Sequence, residues 1–271
     1  GKVVLVTGGA KGISRMISEE YMQNDAKVYI AACDLKAMEK ACAELNALSK
    51  GQAFGLQVDF YKEEDVQRFV DKFAKKEDKL HILVNNAGSN WGAIYDKYPS
   101  SAWICVLMLN LQRVFQVMQL LTPLLEKGAS NLDPSRIINI GSVNSLHIPS
   151  LETFAYSLSK AGLHHLSRVL TYHLGHRNMT YISPNLPARC DIKANIICRS
   201  NTLACSPFES KMMAATLKKF KDAIESGIPL GRIGTPEDVA GACLFLSSRA
   251  RAYIISATIT VDGGSVIAAK L

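Results

Sequence analysis

The 271-residue sequence predicts an open, doubly wound α/β sheet, and three observations predict it. An apolar, β-rich run, Lys2-Val3-Val4-Leu5-Val6, enters a glycine-rich turn, Thr7-Gly8-Gly9-Ala10-Lys11-Gly12-Ile13, that opens a helix. Strand and helix patterns then alternate, which calls for right-handed crossovers and a parallel sheet covered on both faces. Polar residues and glycines gather where the apolar strands end, at Asn85-Asn86-Ala87-Gly88 and Gly141-Ser142-Val143. Ligands bind at those strand ends in such sheets.

The elements follow in order. Val28 to Ala32 reads as the second strand, and Leu35 to Leu48 as a helix with apolar residues at helical spacing. Ala53 to Val58 is the third strand, ending at Asp59, and Glu63 to Phe73 is an amphipathic helix. Leu80 to Val84 forms the fourth strand and is followed by a long helix from about Ser101 to Leu125. Arg136 to Ile140 is the fifth strand, before a helix from Phe154 to Leu174.

Chemistry enters through spacing. In the first turn, Gly8 and Gly12 let the backbone approach a pyrophosphate, and the N–H groups of the helix start at Ile13 attract its charge. Tyr156 and Lys160 stand four apart in FAYSLSKAG, so a helix presents both on one face. A phenol is a poor acid at neutral pH, and a nearby ammonium favours its ionised form. Ser142 precedes Tyr156 by fourteen residues. Its hydroxyl, at a strand end facing that helix, can converge with the phenol on one substrate oxygen.

Composition narrows the partners. The net charge of +7 is spread over short stretches, of which Lys75-Lys76 and Lys218-Lys219-Phe220-Lys221 are the densest. These read as solvated helix faces rather than a nucleic-acid surface, though a basic chain suits a phosphate-bearing cofactor or an acidic carrier. No apolar run is read as membrane-spanning, and no secretory segment begins the chain. The absent initiator Met points to a short missing leader. The seven cysteines, 33, 42, 105, 190, 198, 205 and 243, form no C-x-x-C and are odd in number. Free thiols in a reducing, cytoplasmic setting are expected. Cys190, Cys198 and Cys205 cluster, but no histidine follows them, so no metal site is expected.

Together TGGAKGI, NNAG, Ser142, YSLSK, PLGRIGTPEDVA and Val261-Asp262-Gly263-Gly264 make nearly the whole chain resemble the short-chain dehydrogenase/reductase family. Within it, LVNNAGSNWGAIYDKYP and INIGSVNSL look most like the rhamnolipid-type 3-oxoacyl reductases and related microbial and fungal carbonyl reductases. The resemblance implies a single Rossmann-like domain over 1–271, with a seven-stranded sheet in the order 3-2-1-4-5-6-7. It implies Tyr156 as general acid for carbonyl reduction, Lys160 as the group that lowers its pKa and holds the nicotinamide ribose, and Ser142 as the polariser of the substrate oxygen. Asn110 matches the residue that positions a water linking Lys160 to solvent. Asn86, Ala87 and Gly88 fall among the cofactor-binding positions, and Asp59 would hydrogen-bond the adenine. A homotetramer built on two long helices is implied as well. Leu109, Val114, Val117 and Leu121 would be its interface stripe or, equally, core.

Cofactor choice turns on the end of the second strand. Ala32 occupies the position of the NAD-selecting acid and Cys33 that of the NADP-selecting Arg, while Asp34 lies beyond both. With Lys11 in the phosphate turn, NADP(H) is favoured and NAD(H) stays open. Trp91, Tyr95, His147, Leu151 and Phe154 would line an apolar or acyl substrate site, or belong to the core.

Several positions depart from the family pattern. Ser14 replaces the third glycine of the turn, and Ser256 stands where a glycine precedes the last strand. Relatives pass quickly into strand six and then a Pro-Gly turn beside the nicotinamide. Here an insert from Met179 precedes Ile192 to Ile197 as the sixth strand, Arg199-Ser200 replaces Pro-Gly, and a polar stretch runs to Ser206. The segment 179–206 is expected to be irregular and to act either as a lid or as an impairment. Two readings therefore stand: an NADP(H)-dependent ketone or 3-oxoacyl reductase, and a catalytically impaired cofactor-binding or interaction protein.

Overall fold

The structure, a computed structural model, describes residues 1–48, 51–130, 133–175, 198–251 and 253–268. The chain runs β1 (Val3–Thr7), α1 (Gly12–Gln23), β2 (Lys27–Ala32), α2 (Leu35–Leu48), β3 (Gln52–Gln57), α3 (Glu63–Ala74) and β4 (Ile82–Asn85). It continues through α4 (Ser100–Leu107), a π-helical turn (Met108–Gln112), α5 (Arg113–Gly128), β5 (Ser135–Ile140) and α6 (Phe154–Gly175). The described remainder holds β6 (Cys198–Cys205), α7 (Ala214–Ser226), α8 (Pro236–Ser247) and β7 (Thr258–Val261). The seven strands pair in parallel in the order β3-β2-β1-β4-β5-β6-β7, the Rossmann-like sheet expected.

Alternation along β1 shows why both faces are covered. Val4 and Val6 enter one apolar cluster with Ile17 of α1, Met38 of α2 and Val239 of α8. Val3 and Leu5 enter the other, with Phe69 of α3, Leu121 of α5 and Leu163 of α6. Strand side chains alternate between faces, so a run with no polar position must be buried on both. Leu109, Val114, Val117 and Leu121 are at most 8% exposed and belong to the second cluster. They are core, so they do not form an interface stripe. Ser100–Gly128 is, by length and composition, long and apolar enough to cross a membrane, which corrects the expectation that no run reaches such a length. Its apolar inner face is taken up by this core.

β6 is the main correction. Its ladder joins Ser135 to Cys198 and Ile140 to Leu203 on one side, and Cys205 to Val261 on the other. Arg199 and Ser200 are thus strand residues opposite Arg136 and Ile137, and the turn that follows the strand is Ser206-Pro207. The sequence hides this because the strand is polar. Ser200, Asn201 and Thr202 are buried, and hydrogen bonds satisfy them: Thr202 Oγ1 donates to Ser167 Oγ at 2.9 Å, and Asn139 Nδ2 reaches Ser167 Oγ at 2.7 Å and Ser200 Oγ at 3.4 Å. The insert from Met179 and the stretch Ile192 to Ile197 lie outside the described residues.

Ser256 adopts φ +60° just before β7, a conformation that disfavours any side chain bearing a Cβ. Ser256→Gly is expected to raise stability by about 1 kcal/mol, after allowing for the greater freedom of glycine in the unfolded chain. Urea unfolding should show a higher midpoint at unchanged slope.

Candidate active site

The site is assembled from the carboxyl ends of β1, β4, β5 and β6. Gly8 and Gly12 have φ of +76° and +57°, values open to glycine and strained for other residues. A Cβ on Gly8 would lie 3.1 Å from Ala87 Cα, and one on Gly12 would lie 2.9 Å from Ser210 Cβ. Both positions therefore leave the narrow cradle that a pyrophosphate against the start of α1 needs. Ser14 is fully buried, and its Oγ accepts a hydrogen bond from Asn86 Nδ2. Thr7 Oγ1 accepts from Asn86 N at 3.0 Å and Ala87 N at 3.1 Å. The side chain in place of the third glycine thus ties the phosphate turn to the end of β4, and Gly88 packs against Asn110, whose Oδ1 lies 3.0 Å from a Cβ built there. Ile13 packs partly buried on the first cluster.

Cys33, Gln57, Val58, Asp59 and Lys62, together with Asp65, Arg68, Phe69 and Lys72 of α3, line a cavity of about 450 Å³ to which the residues of the glycine cradle do not contribute. Asp59 Oδ1 accepts from Tyr61 N at 3.0 Å, which leaves its carboxylate at the cavity wall. Asp34 is committed elsewhere. Its Oδ1 caps α2 by accepting from Ala37 N at 3.0 Å, and its Oδ2 pairs with Lys11 Nζ at 3.2 Å. The cap first, and then Lys11, hold its carboxyl below the usual carboxylate range.

Tyr156 and Lys160 lie on α6 facing the end of β5. Lys160 is 5% exposed, and its Nζ donates to Ile140 O at 2.7 Å while standing 5.6 Å from the Tyr156 ring centroid. Burial lowers its pKa to about 8. The Tyr156 phenol is pushed up to about 12 by burial, and its hydrogen bond with Ser142 opposes that rise. Proximity of the ammonium was expected to depress the phenol. Instead desolvation dominates and the ammonium is directed to a backbone carbonyl. Ser142 is buried and extended, and its Oγ accepts from Asn144 N at 3.2 Å.

Asn110 sits in the π-helical turn, a distortion frequent at functional sites. Its Oδ1 accepts from Ser89 N at 2.8 Å, and its Nδ2 donates to Ser89 O at 2.9 Å and to Ser159 Oγ at 3.0 Å. The side chain therefore buttresses the loop after β4 against α6, one residue before Lys160. Sequence reasoning missed Cys205 and Ser206. Cys205 is buried close enough to Lys160 for the ammonium to oppose the rise of its thiol to about 12. Ser206 Oγ is buried without a hydrogen-bond partner, and an orphaned hydroxyl in the turn after β6 suits a ligand amide. Trp91, Tyr95 and Leu151 are 47%, 76% and 49% exposed, so they are not core. Phe154 stacks edge-on with Tyr95 and Tyr98. His147 Nδ1 is buried without a partner.

The short chain dehydrogenase profile matches residues 2–188, and a profile described as Enoyl-(Acyl carrier protein) reductase matches residues 191–266. The rhamnolipids biosynthesis 3-oxoacyl-[acyl-carrier-protein] reductase of Pseudomonas aeruginosa is 36% identical over 267 residues, covering 97% of this chain and 96% of that protein. The 3-oxoacyl-[acyl-carrier-protein] reductase FabG of Thermotoga maritima is 28% identical, covering 98% of each. Among solved structures, the Pseudomonas aeruginosa RhlG/NADP active-site complex superposes with a TM-score of 0.87 at 34% identity, covering 98% of this chain and 96% of that one. With its sheet order, phosphate turn and strand-end hydroxyls accounted for, the chain belongs to the short-chain dehydrogenase/reductase family and is an oxidoreductase acting between CH–OH and C=O with a nicotinamide dinucleotide.

Proposed function

We propose that this chain reduces a ketone of the 3-oxoacyl type to a secondary alcohol with NADP(H). The observation that carries the reading is the convergence of Ser142, Tyr156 and Lys160 at the end of β5, beside the glycine cradle of β1. The bound dinucleotide supplies the hydride. Tyr156 hands its phenolic proton to the developing alkoxide, and the high pKa is no obstacle because an alkoxide is far more basic than a phenolate. Ser142 donates to the same oxygen and stabilises the charge that develops there. Lys160 spends one N–H on Ile140 O, and the other two remain for ribose hydroxyls. The exposed Trp91, Tyr95 and Leu151 offer apolar surface to an acyl chain.

The cradle and the orphaned Ser206 hydroxyl fit a dinucleotide. Because Asp34 is held by its capping role, it is not a free acid for a ribose 2′-hydroxyl, and Lys11 is the cation for a 2′-phosphate. Lys11→Ala is expected to weaken NADPH binding about five- to thirtyfold more than NADH binding, the equivalent of one charge-assisted hydrogen bond. Titration by cofactor fluorescence measures this; equal losses would remove Lys11 from the choice.

A homotetramer in the cytoplasm completes the proposal. Ile104 and Phe115 on the α4–α5 helix and Leu158 and Val169 on α6 are exposed and can serve as the outer stripe that the buried residues do not supply. Among the cysteines whose side chains are described, Cys33, Cys42, Cys105, Cys205 and Cys243 are free thiols. The impaired-scaffold reading rested on the altered segment 179–206 and on Ser14; Arg199, expected beside the nicotinamide, belongs to β6, and residues 179–197 lie outside the described residues. Oxidation of NADPH and of NADH with 3-oxoacyl thioesters and simple ketones tests the whole reading. Turnover with NADPH and 3-oxoacyl thioesters supports it, and cofactor binding without turnover on any ketone contradicts it.

A further inference from the structure

The loop after β4 is docked on the start of the helix that carries Tyr156. Ala93 N donates to Glu152 O at 3.2 Å, and Tyr95 N donates to Glu152 Oε1 at 3.2 Å. A third tie is made by one side chain. The half-buried Tyr98 ring stands edge-on to Phe154, with centroids 5.2 Å apart, and edge-on to Trp103 at 5.9 Å. Its Oη lies 3.3 Å from Ala155 N and 3.2 Å from Trp91 O.

Proton counting gives each contact a direction. Ala155 is in the first turn of α6, where a backbone N–H has no acceptor inside the helix. It donates instead to the Tyr98 oxygen, 57 residues away in sequence. The single phenol proton is then given to the Trp91 carbonyl, which only accepts. Tyr98 therefore links Trp91 directly to the residue that precedes Tyr156. The loop it holds is apolar: Trp91, Ile94 and Tyr95 are 47%, 54% and 76% exposed, a surface suited to being covered by an acyl chain.

We propose that Tyr98 is a positioning residue that sets specificity for long-chain ketones, by clamping the Trp91 loop at a fixed distance from Tyr156. The claim rests on the ketone-reductase reading above. The loop contacts the chain of the substrate and not its reacting carbonyl, so its misplacement weakens ground-state and transition-state binding alike. Tyr156 itself stays in place, because α6 keeps its other ties, Ser157 N to Thr153 O at 2.9 Å and Lys160 Nζ to Ile140 O at 2.7 Å.

The test is Tyr98→Phe, which retains both edge-on ring contacts and removes the hydroxyl alone. Acetoacetyl and 3-oxododecanoyl thioesters serve as the short and long ketones in steady-state reduction. KM for the long thioester is expected to rise about five- to twentyfold, while kcat, KM for the short thioester and NADPH affinity stay within about threefold. Amide hydrogen exchange by NMR, which needs no turnover, reads the bridge itself. The Ala155 amide should exchange about tenfold faster in the variant, and the Ser157 amide should keep its rate. An unchanged KM for the long thioester, an equal rise for both thioesters, a fall in kcat alone, or wild-type exchange at Ala155 would overturn the proposal while leaving the reductase reading intact. Wild-type protein that turns over no ketone would defeat that reading, and the proposal with it.

Discussion

Tyr156→Phe is expected to lower ketone reduction about 10²- to 10⁴-fold, the usual span for loss of a positioned general acid. The substitution keeps the ring and removes only the hydroxyl, so packing on α6 and the 5.6 Å approach of Lys160 Nζ to the ring are retained. Cofactor affinity should fall by no more than about tenfold, since no more than one hydrogen bond to the ribose is lost. Stopped-flow reduction and cofactor titration on the same protein separate the two effects. A kcat within threefold of wild type would show that the proton comes from elsewhere.

Lys160→Met should abolish most activity while making the unliganded protein more stable. Burial lowers the lysine from 10.5 to about 8, so between about pH 8 and pH 10.5 the unfolded chain holds more protons and stability rises with pH. Below about pH 8 both states are charged and the full penalty applies, about 3 kcal/mol from that shift. Methionine removes the penalty and loses the hydrogen bond to Ile140 O, worth about 1–2 kcal/mol. The net gain at pH 7 is about 1–2 kcal/mol. Tyr156 works in the opposite sense at higher pH: its raised pKa adds stability below about pH 10 that is lost as pH rises through about 12. Urea unfolding from pH 7 to 10 measures the lysine part, below the range in which the Tyr156 contribution is lost. The wild type should gain stability across pH 8 to 10 while Lys160→Met does not. A less stable Lys160→Met at pH 7 would mean that the buried ammonium is better paired than its surroundings indicate. A function that keeps a buried charge at a loss of stability fits a site selected for chemistry.

Most elements of the fold were legible because their side chains repeat at the spacing their backbone requires. α2 spans the residues the periodicity marked, and β1, β2 and β5 agree within a residue or two of the apolar runs. β6 was misplaced because its burial is polar: Ser200 and Thr202 meet Ser167 and Asn139 rather than apolar partners. An apolar run at Ile192 to Ile197 drew the assignment away. The π-helical turn at Met108–Gln112 leaves no side-chain period to read, although Asn110 within it was recognised.

The candidate site was legible where spacing decides and obscure where contact decides. The Tyr156–Lys160 interval and the hydroxyl fourteen residues upstream specified one face of one helix against one strand end. The capping role of Asp34 depended on where α2 begins, and the Lys11 pairing on a loop closure between β1 and β2.

Hydride transfer to a carbonyl at the Ser142–Tyr156–Lys160 centre is tested most directly by product analysis. NADPH deuterated at its transferable position is mixed with a 3-oxoacyl thioester and the enzyme, and the alcohol is examined by mass spectrometry. One deuterium on the carbinol carbon is expected with wild-type protein, and product formation slowed at least a hundredfold with Tyr156→Phe. Alcohol without deuterium, no alcohol at all, or equal rates for the two proteins would contradict it.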